Sequence, residues 1–317
     1  MEKIIASVDK GTLKKELHNS LFVRTTNFDN NEIYIFNAHQ CPELMNEVGR
    51  LREVSFRDSG GGSGKSMDVD EYDLMDNPYW QIIVWDPLEE EIVGGYRYFN
   101  LNDAIKEVDG RYKISTANMF KPSARFEKEF MPFTMELGKS FIQPKYQPVT
   151  NPRKGVFSLD NLWDGLGALI VDHPDTKYFY GRVTLYKNYH SKARDLLLHF
   201  MYKYFGDKEN LIEVYEPESI RHNREQLDDF FNDEGYDADF SNLNQAIRDL
   251  GETIPPLIKA YMSLSPSMKV FGIAHNHDFG NNVEGIGILV TIDDIYPSKK
   301  RRHVQSYLKQ KTEQKAL

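Results

Sequence analysis

Two short apolar runs set almost end to end constrain this chain more than anything else in it. YWQIIVWD (79–86) and EIVGGYRYF (91–99) are both rich in aromatic and β-branched residues, and only the turn sequence DPLEE lies between them. So short a connection makes a hairpin and leaves no room for a crossover helix, which a parallel pair would need. The pattern returns near the end of the chain, where MKVFGIAH (268–275) and EGIGILVTI (284–292) read as strands joined by a turn at DFGNN. Further strands are expected at MELGKSFI (135–142) and KYFYGRVTL (177–185). Helices are expected at 43–56, with Leu44, Val48 and Leu51 in phase after Pro42, and at about 160–171, with Leu162, Leu166 and Leu169 on one face and Ser158 or Asp160 as cap. SKARDLLLHFMYKYF (191–205) is strongly amphipathic, 206–240 is an acidic and polar excursion, and LNQAIRDLGETIPPLIKAYMSL (243–264) is helical with a break at Pro255-Pro256. Adjacent strands mixed with helices predict an α/β (α+β) fold: a mixed, largely antiparallel sheet flanked by helices, not a doubly wound nucleotide fold.

The chain has 317 residues and a net charge of −9, which disfavours general nucleic-acid binding. No apolar run reaches the length of about 18 residues that a membrane span requires, and the charged start MEKIIASVDKGTLKKEL is no secretory signal. One cysteine, Cys41, precludes an internal disulfide. These features suit a cytoplasmic protein. Three local basic clusters stand out against the acidic whole: KPSARFEK (121–128), the PKYQ and NPRK stretch (144–154) and SKKRRH (298–303). They are surfaces that can dock an acidic partner or touch an anionic membrane, such as the inner face of an inner membrane.

Several motifs invite a function and fail on context. SGGGSGKSMD (59–68) ends like a phosphate-binding loop at Gly64-Lys65-Ser66, but Ser59 stands where the first glycine belongs. A helix, not a strand, precedes it and the acidic run DVDEYD follows. The glycines are read instead as a mobile lid beside a site. HSKARD (190–195) carries the H-x-x-x-x-D spacing of glycerolipid acyltransferases, so an O-acyltransferase led by His190 and Asp195 is one alternative. The glycine-rich partner signature of those enzymes is absent. His275 and His277 lack a third metal ligand nearby, and no metal is expected. Cys41, with no motif around it, is read as an inert thiol.

The most informative set spans residues 52–139. Arg52 and Phe56 share a helix face; Asp68, Asp70 and Asp73 follow; Arg97 sits on the second hairpin strand; Glu136 and Lys139 come from the next strand. Alternating charges on neighbouring elements can bind a zwitterion and tune one carboxylate as a base.

In this order, R-x-x-x-F, D-x-D-x-x-D, G-x-x-R and E-L-x-[RK] resemble the acyl-homoserine-lactone synthases. More closely they resemble the ornithine-lipid type N-acyltransferases of the GNAT superfamily. REVSFR, DVDEYD, VGGYRYF, MELGKSFIQPKYQ and LWDGLGALI carry the likeness over about residues 30–295. IPPLIKAYMSLSPSMKVFGIAHNHDFG resembles members often labelled hemolysin-like, which include glycine-lipid N-acyltransferases. Lys139 replaces the usual arginine, the tryptophan common near the first loop of lactone synthases is replaced by glycines, and the GNAT phosphate loop has only NPRKGVF as its counterpart. A second alternative is a non-catalytic, hemolysin-like membrane-associated protein.

The resemblance implies a GNAT-like domain at 31–295 with a helical insertion at about 206–262, after an N-terminal extension (1–30) and before a basic tail (296–317), expected to fray. It implies transfer of a (3-hydroxy)acyl group from an acyl carrier protein thioester to the amine of an amino acid such as glycine or ornithine, the first step of aminolipid synthesis. Glu136 is the expected base. Arg52, Phe56, Asp68, Asp70, Asp73, Arg97 and Lys139 would form the acceptor site, with Arg97 holding the acceptor carboxylate or orienting Glu136. Ser140, Ile142, Arg153, Lys154 and Gly155 would hold the phosphopantetheine or its carrier. No cofactor is expected beyond that acyl-phosphopantetheine co-substrate, with acyl-CoA as the alternative donor.

Overall fold

The computed structural model describes all residues except 187, 232–234, 281–282 and 316–317, and all side chains of the described residues except 314 and 315. The strands are β1 (Phe22–Thr25), β2 (Glu32–Phe36), β3 (Trp80–Asp86), β4 (Glu91–Asn100), β5 (Phe120–Pro122), β6 (Thr134–Ile142), β7 (Tyr178–Leu185), β8 (Ile212–Val214), β9 (Lys269–His275) and β10 (Glu284–Thr291). Eight of them form one sheet in the order β1-β2-β3-β4-β6-β7-β10-β9, while β5 pairs with β8 apart from it. Every neighbouring pair in the large sheet is antiparallel except β6–β7. Both expected hairpins are present; of the DFGNN turn, residues 281–282 lie outside the described residues.

The sheet is covered on both faces, which is why its central strands read as nearly unbroken apolar runs. Ile82 and Val84 point into one core, with Leu162, Leu166, Leu196 and Phe200 from α4 (Pro152–Asp172) and α5 (Ser191–Phe205). Ile83 and Trp85 point to the other face, into the layer formed by α1 (Lys10–Glu16) and α2 (Pro42–Asp58). Next to α2 on that second face, an excursion between β4 and β6 closes over Tyr79, Phe99 and Tyr180. The short helix α3 (Glu71–Leu74) lies beside this second-face layer, whereas α6 (Arg224–Asp228) and the pair α7 (Tyr236–Asp249) and α8 (Pro256–Met262) pack into the first core; the loop around Pro255 separates the last two as expected.

Two strands are added and two expectations are corrected. β1 and β2 are not among the expected strands, and β1 falls within residues 1–30. Helix α4 starts at Pro152, eight residues before the expected 160, with Asn151 accepting from the Lys154 N–H as its cap. That Asn-Pro start was masked because the first turn carries Arg153 and Lys154 and no apolar stripe. The basic tail does not fray: α9 (Pro297–Lys299), a π-helical turn (300–305) and α10 (Ser306–Lys315) run on as one helical segment. It is docked by Arg24 Nη1 donating to the His303 carbonyl at 2.8 Å and by the His303 Nδ1–Asp164 Oδ1 contact at 2.7 Å.

The feature that matters for function is a split in the middle of the sheet. β6 and β7 pair from Thr134–Tyr178 to Leu137–Gly181 and then part. At Gly181 a Cβ would collide with the Leu137 carbonyl oxygen, so this last contact requires glycine. Beyond it a bulge sets in. Between Gly95↔Phe141 and Arg97↔Gly138, β6 spends one residue more than β4, and Lys139 takes the left-handed conformation at φ 51°. From Gly138 to Ile142, β6 is therefore paired with β4 on one side and with no strand on the side that faced β7.

Candidate active site

Helix α2, the loop after it, and strands β3, β4 and β6 deliver charges into one buried layer. Arg52 donates to Asp73 (3.1 Å) and to Gln81 (2.5 Å), and Gln81 Nε2 returns a bond to the other Asp73 oxygen at 3.0 Å. Arg97 reaches Asp70 at 2.6 Å and Asp73 at 3.2 Å. Lys139, aimed by the bulge, grips both oxygens of Asp68 at 2.7 and 3.0 Å. Arg52 and Asp73 are wholly buried and Arg97 is 1% exposed. Burial alone would raise the Asp70 carboxyl; Arg97 and then Lys139 override it and hold it well below the usual carboxylate range. Asp70 and Asp73 also form a reciprocal cap on α3. The layer thus has three cations facing three carboxylates, and the six expected charges come together.

Glu136, on β6, lies beside this layer and is fully buried. Tyr79 Oη donates to its Oε2, and Ser115 Oγ donates to its Oε1 at 3.2 Å. The Ser115 N–H in turn donates to Tyr79 Oη at 3.0 Å. Burial first, then the neighbouring Glu136 charge, push the Tyr79 hydroxyl far above its ordinary value, so it remains a donor. The Arg97 guanidinium stacks 4.8 Å from the Tyr79 ring centre.

A cavity of about 580 Å³ opens along the unpaired edge of β6. Residues 137–142 form its floor. One end is polar, with Arg97, Ser115, Thr116, Arg182 and Asn276; the other is apolar, with Val149, Val156, Leu159 and Pro255–Leu257. Glu136 does not line the cavity; Ser115 stands between the two. Phe56 lines it edge-on to Phe279, with ring centres 4.7 Å apart. Of the expected donor-site residues, Ser140, Ile142 and Gly155 line the cavity. Lys154 turns to Asp86 (2.9 Å) and Glu89 (3.2 Å), while Arg153 is exposed on the same first turn of α4. Other basic residues of the three clusters are also paired, among them Lys121 with Glu213, Lys145 with Glu91 and Arg302 with Asp160.

The glycine loop is neither a phosphate cradle nor a free lid. The Glu53 carboxylate fills its concavity, accepting from the Ser63 N–H (2.9 Å), the Ser63 hydroxyl (2.8 Å) and the Gly64 N–H (2.8 Å). The N-terminal segment clamps it from outside, Glu2 N–H donating to the Gly64 carbonyl at 2.8 Å and Ile5 N–H to that of Ser66 at 3.0 Å. Inside the loop, Gly61 is pressed against Tyr186 and Phe279, so the loop backs a cavity wall.

The hydroxyl-acylation pair does not assemble. His190 is the cap of α5, its Nδ1 accepting from the Lys192 N–H at 3.2 Å. Asp195 is buried and taken up by Arg194 (2.5 Å), His222 Nδ1 (2.8 Å) and the N–H groups of Arg221 and His222. His275 and His277 lie against Glu218 and Glu216. Glu284, which with His275 and Glu218 could offer metal ligands, is occupied by Arg194 and Arg221. Burial, then Glu16, raise the Cys41 thiol to about 11, and it packs in the α2 core.

Sequence reasoning missed Tyr79, Ser115, Thr116, Arg182, Asn276 and Phe279. Only Arg182 left a trace, as the single charge within strand β7.

A mixed sheet split at its centre, with a cavity astride the opening and a carboxylate behind its wall, is the architecture of a GNAT-type acyltransferase. Residues 51–153 match the acetyltransferase (GNAT) domain family. The chain is 47% identical over 313 residues to a glycine N(alpha)-acyltransferase of Phocaeicola vulgatus, covering 99% of this chain and 96% of the relative. It is 48% identical over 308 residues to one of Bacteroides thetaiotaomicron, covering 97% and 91%. The chain belongs to the glycine N(alpha)-acyltransferase family and is an N-acyltransferase. Among solved structures it resembles a CoA-dependent acyl-homoserine lactone synthase, at 11% identity and a TM-score of 0.41 over 87% of this chain and 89% of that one. No helix among the described residues is long and apolar enough to cross a membrane.

Proposed function

We propose that the protein moves a fatty or 3-hydroxyfatty acyl group from a phosphopantetheine thioester to the amino group of glycine. The observation that carries this reading is the cavity on the open edge of β6, polar at one end and apolar at the other. An acyl chain suits the apolar end, a small zwitterion the polar end, and the two meet over Gly138–Ile142. The pantetheine arm carries amides able to pair with the free β6 edge, as an added strand would. Backbone N–H groups around Ser140–Ile142 would then stabilise the thioester oxygen as charge develops on it.

In the reaction the amine nitrogen attacks the thioester carbonyl carbon and the C–S bond breaks. Glycine enters as an ammonium ion and gives up two protons: one leaves on the thiol and one is released. Ser115, hydrogen-bonded to Glu136 and exposed to the cavity, would pass a proton from the amine to that carboxylate. Tyr79 and Arg97 would orient the carboxylate. Asp68, Asp70 and Asp73 would act from behind, holding Arg52, Arg97 and Lys139 in place. Arg153 at the mouth, beside the shared Lys154, would meet the donor phosphate or an acidic carrier protein, the other docking surface being 121–128. The product, an amphiphilic N-acyl amino acid, would be a first aminolipid intermediate. Val149 and Val156, exposed at the apolar mouth, suit delivery to a membrane surface.

The test supplies acyl carrier protein and CoA thioesters separately, each with glycine, ornithine, serine or homoserine, and detects amides by mass spectrometry. N-acylglycine is expected from the wild type, with Glu136→Gln lowering the rate about 10²–10⁴-fold. Acylation of a lysophospholipid hydroxyl and of no amine would overturn the reading.

A further inference from the structure

Two guanidinium groups reach the cavity, and they differ in one respect. Arg97 is already neutralised by Asp70 and Asp73. Arg182, partly buried on β7, pairs with no carboxylate among the described residues. Its polar side-chain contacts are Asn118 Oδ1 at 3.4 Å and the Met119 sulfur at 3.1 Å. Asn118 is itself held by Asp278, through its amide nitrogen, and a Cβ on Gly285 would sit 3.4 Å from Arg182 Cδ, so the arginine stem is packed and aimed. Burial and then the like charge of Arg97 disfavour the Arg182 cation, a penalty that an arriving anion would relieve. The same end of the cavity holds an oxygen that makes no hydrogen bond in the protein, Asn276 Oδ1, in a residue 3% exposed. A buried acceptor without a donor implies a ligand that brings one.

We propose that this cluster is the acceptor subsite: Arg182 binds the carboxylate of the α-amino acid, and Asn276 Oδ1 receives its ammonium group, placing the nitrogen on the Ser115 side of the cavity. The assignment rests on the acyltransferase reading above and deepens it. It makes a free carboxylate the feature by which an acceptor is recognised, so a simple amine or an amino-acid amide is refused.

The experiment compares wild type, Arg182→Met, Arg182→Lys and Asn276→Leu, with glycine and glycinamide as acceptors and a saturating acyl donor. Glycine binding in the absence of donor is followed by calorimetry, and thermal unfolding checks each fold. Arg182→Met should raise the glycine KM about 100-fold, abolish calorimetric glycine binding and leave the donor KM in place. The wild-type preference for glycine over glycinamide should collapse, with Arg182→Lys between the two. Asn276→Leu should raise the KM of both acceptors, so the ammonium end is tested even if the arginine variants fail to fold. A folded Arg182→Met protein whose glycine KM stays within about threefold of wild type, or that still refuses glycinamide, overturns the subsite alone. Wild-type protein that acylates no amino acid overturns the functional reading and the subsite with it.

Discussion

Replacing Asp73 by asparagine removes one negative charge from the buried layer and almost nothing else. The side chain keeps its size, but three cations, Arg52, Arg97 and Lys139, then face two carboxylates. An asparagine oxygen can still accept from Arg52. Its amide nitrogen must then stand where Asp73 accepted from a neighbouring donor, and a second donor has nothing to give to. Breaking a buried ion pair from one side costs about 3–5 kcal/mol. Unfolding entropy of about 2.1 cal/mol/K per residue gives about 0.67 kcal/mol/K for this chain of 317 residues, so the midpoint should fall by about 4.5–7.5 °C. Calorimetry or circular dichroism on both proteins measures it. The double variant Asp73→Asn/Arg52→Met should recover part of the loss, because it removes the stranded charge. A shift under about 1.5 °C, or a double variant that merely adds the two single losses, would refute the view of these groups as one coupled unit.

Two further outcomes are expected. His190→Ala should cost about 1 kcal/mol of stability through the lost cap of α5, with N-acylation retained; loss of turnover in a folded variant would restore the histidine as a catalyst. Because the Asp70 carboxyl is held below its ordinary value of 3.8, its stabilisation is complete above that pH and is lost as the pH falls through the lowered value. The unfolding midpoint should therefore drop below about pH 4, and less steeply in Asp70→Asn, as a pH series of melting curves would reveal.

What could be read from the sequence was what is local. The hairpins at 80–100 and 269–291 were legible because a short turn leaves no other topology, and α5 because its apolar residues repeat at helical spacing. The charges from Arg52 to Lys139 were legible as a set because they fall on elements that follow one another in the chain: α2, the loop and short helix after it, and the strands β4 and β6. The cavity was not, since Ser115, Arg182 and Asn276 come from an irregular excursion and two separate strand regions, and each is unremarkable in its own segment. The glycine loop misled for a related reason: its backbone donors are as open as in a phosphate loop, and only the three-dimensional placement of Glu53 shows that a carboxylate already fills them.

The split between β6 and β7 also bears on how such a sheet avoids its own hazards. An unpaired strand edge is an invitation to stack with another chain. At one margin of this sheet β9 is met by the segment after α5, through the Gly206↔Val270 and Pro217↔Ala274 bridges. At the other, the four-residue β1 lies under the C-terminal helix, with Gln310 donating to the Thr25 carbonyl. Both outer margins are thus shielded, and the bare edge lies inside the cavity between β6 and β7, away from either margin. A slender thread with amides of its own can enter it. Under the proposed reaction the acyl donor would be the strand the sheet lacks, and would leave when the thiol is freed, so that one surface serves as an unfinished sheet between turnovers and a finished one during them.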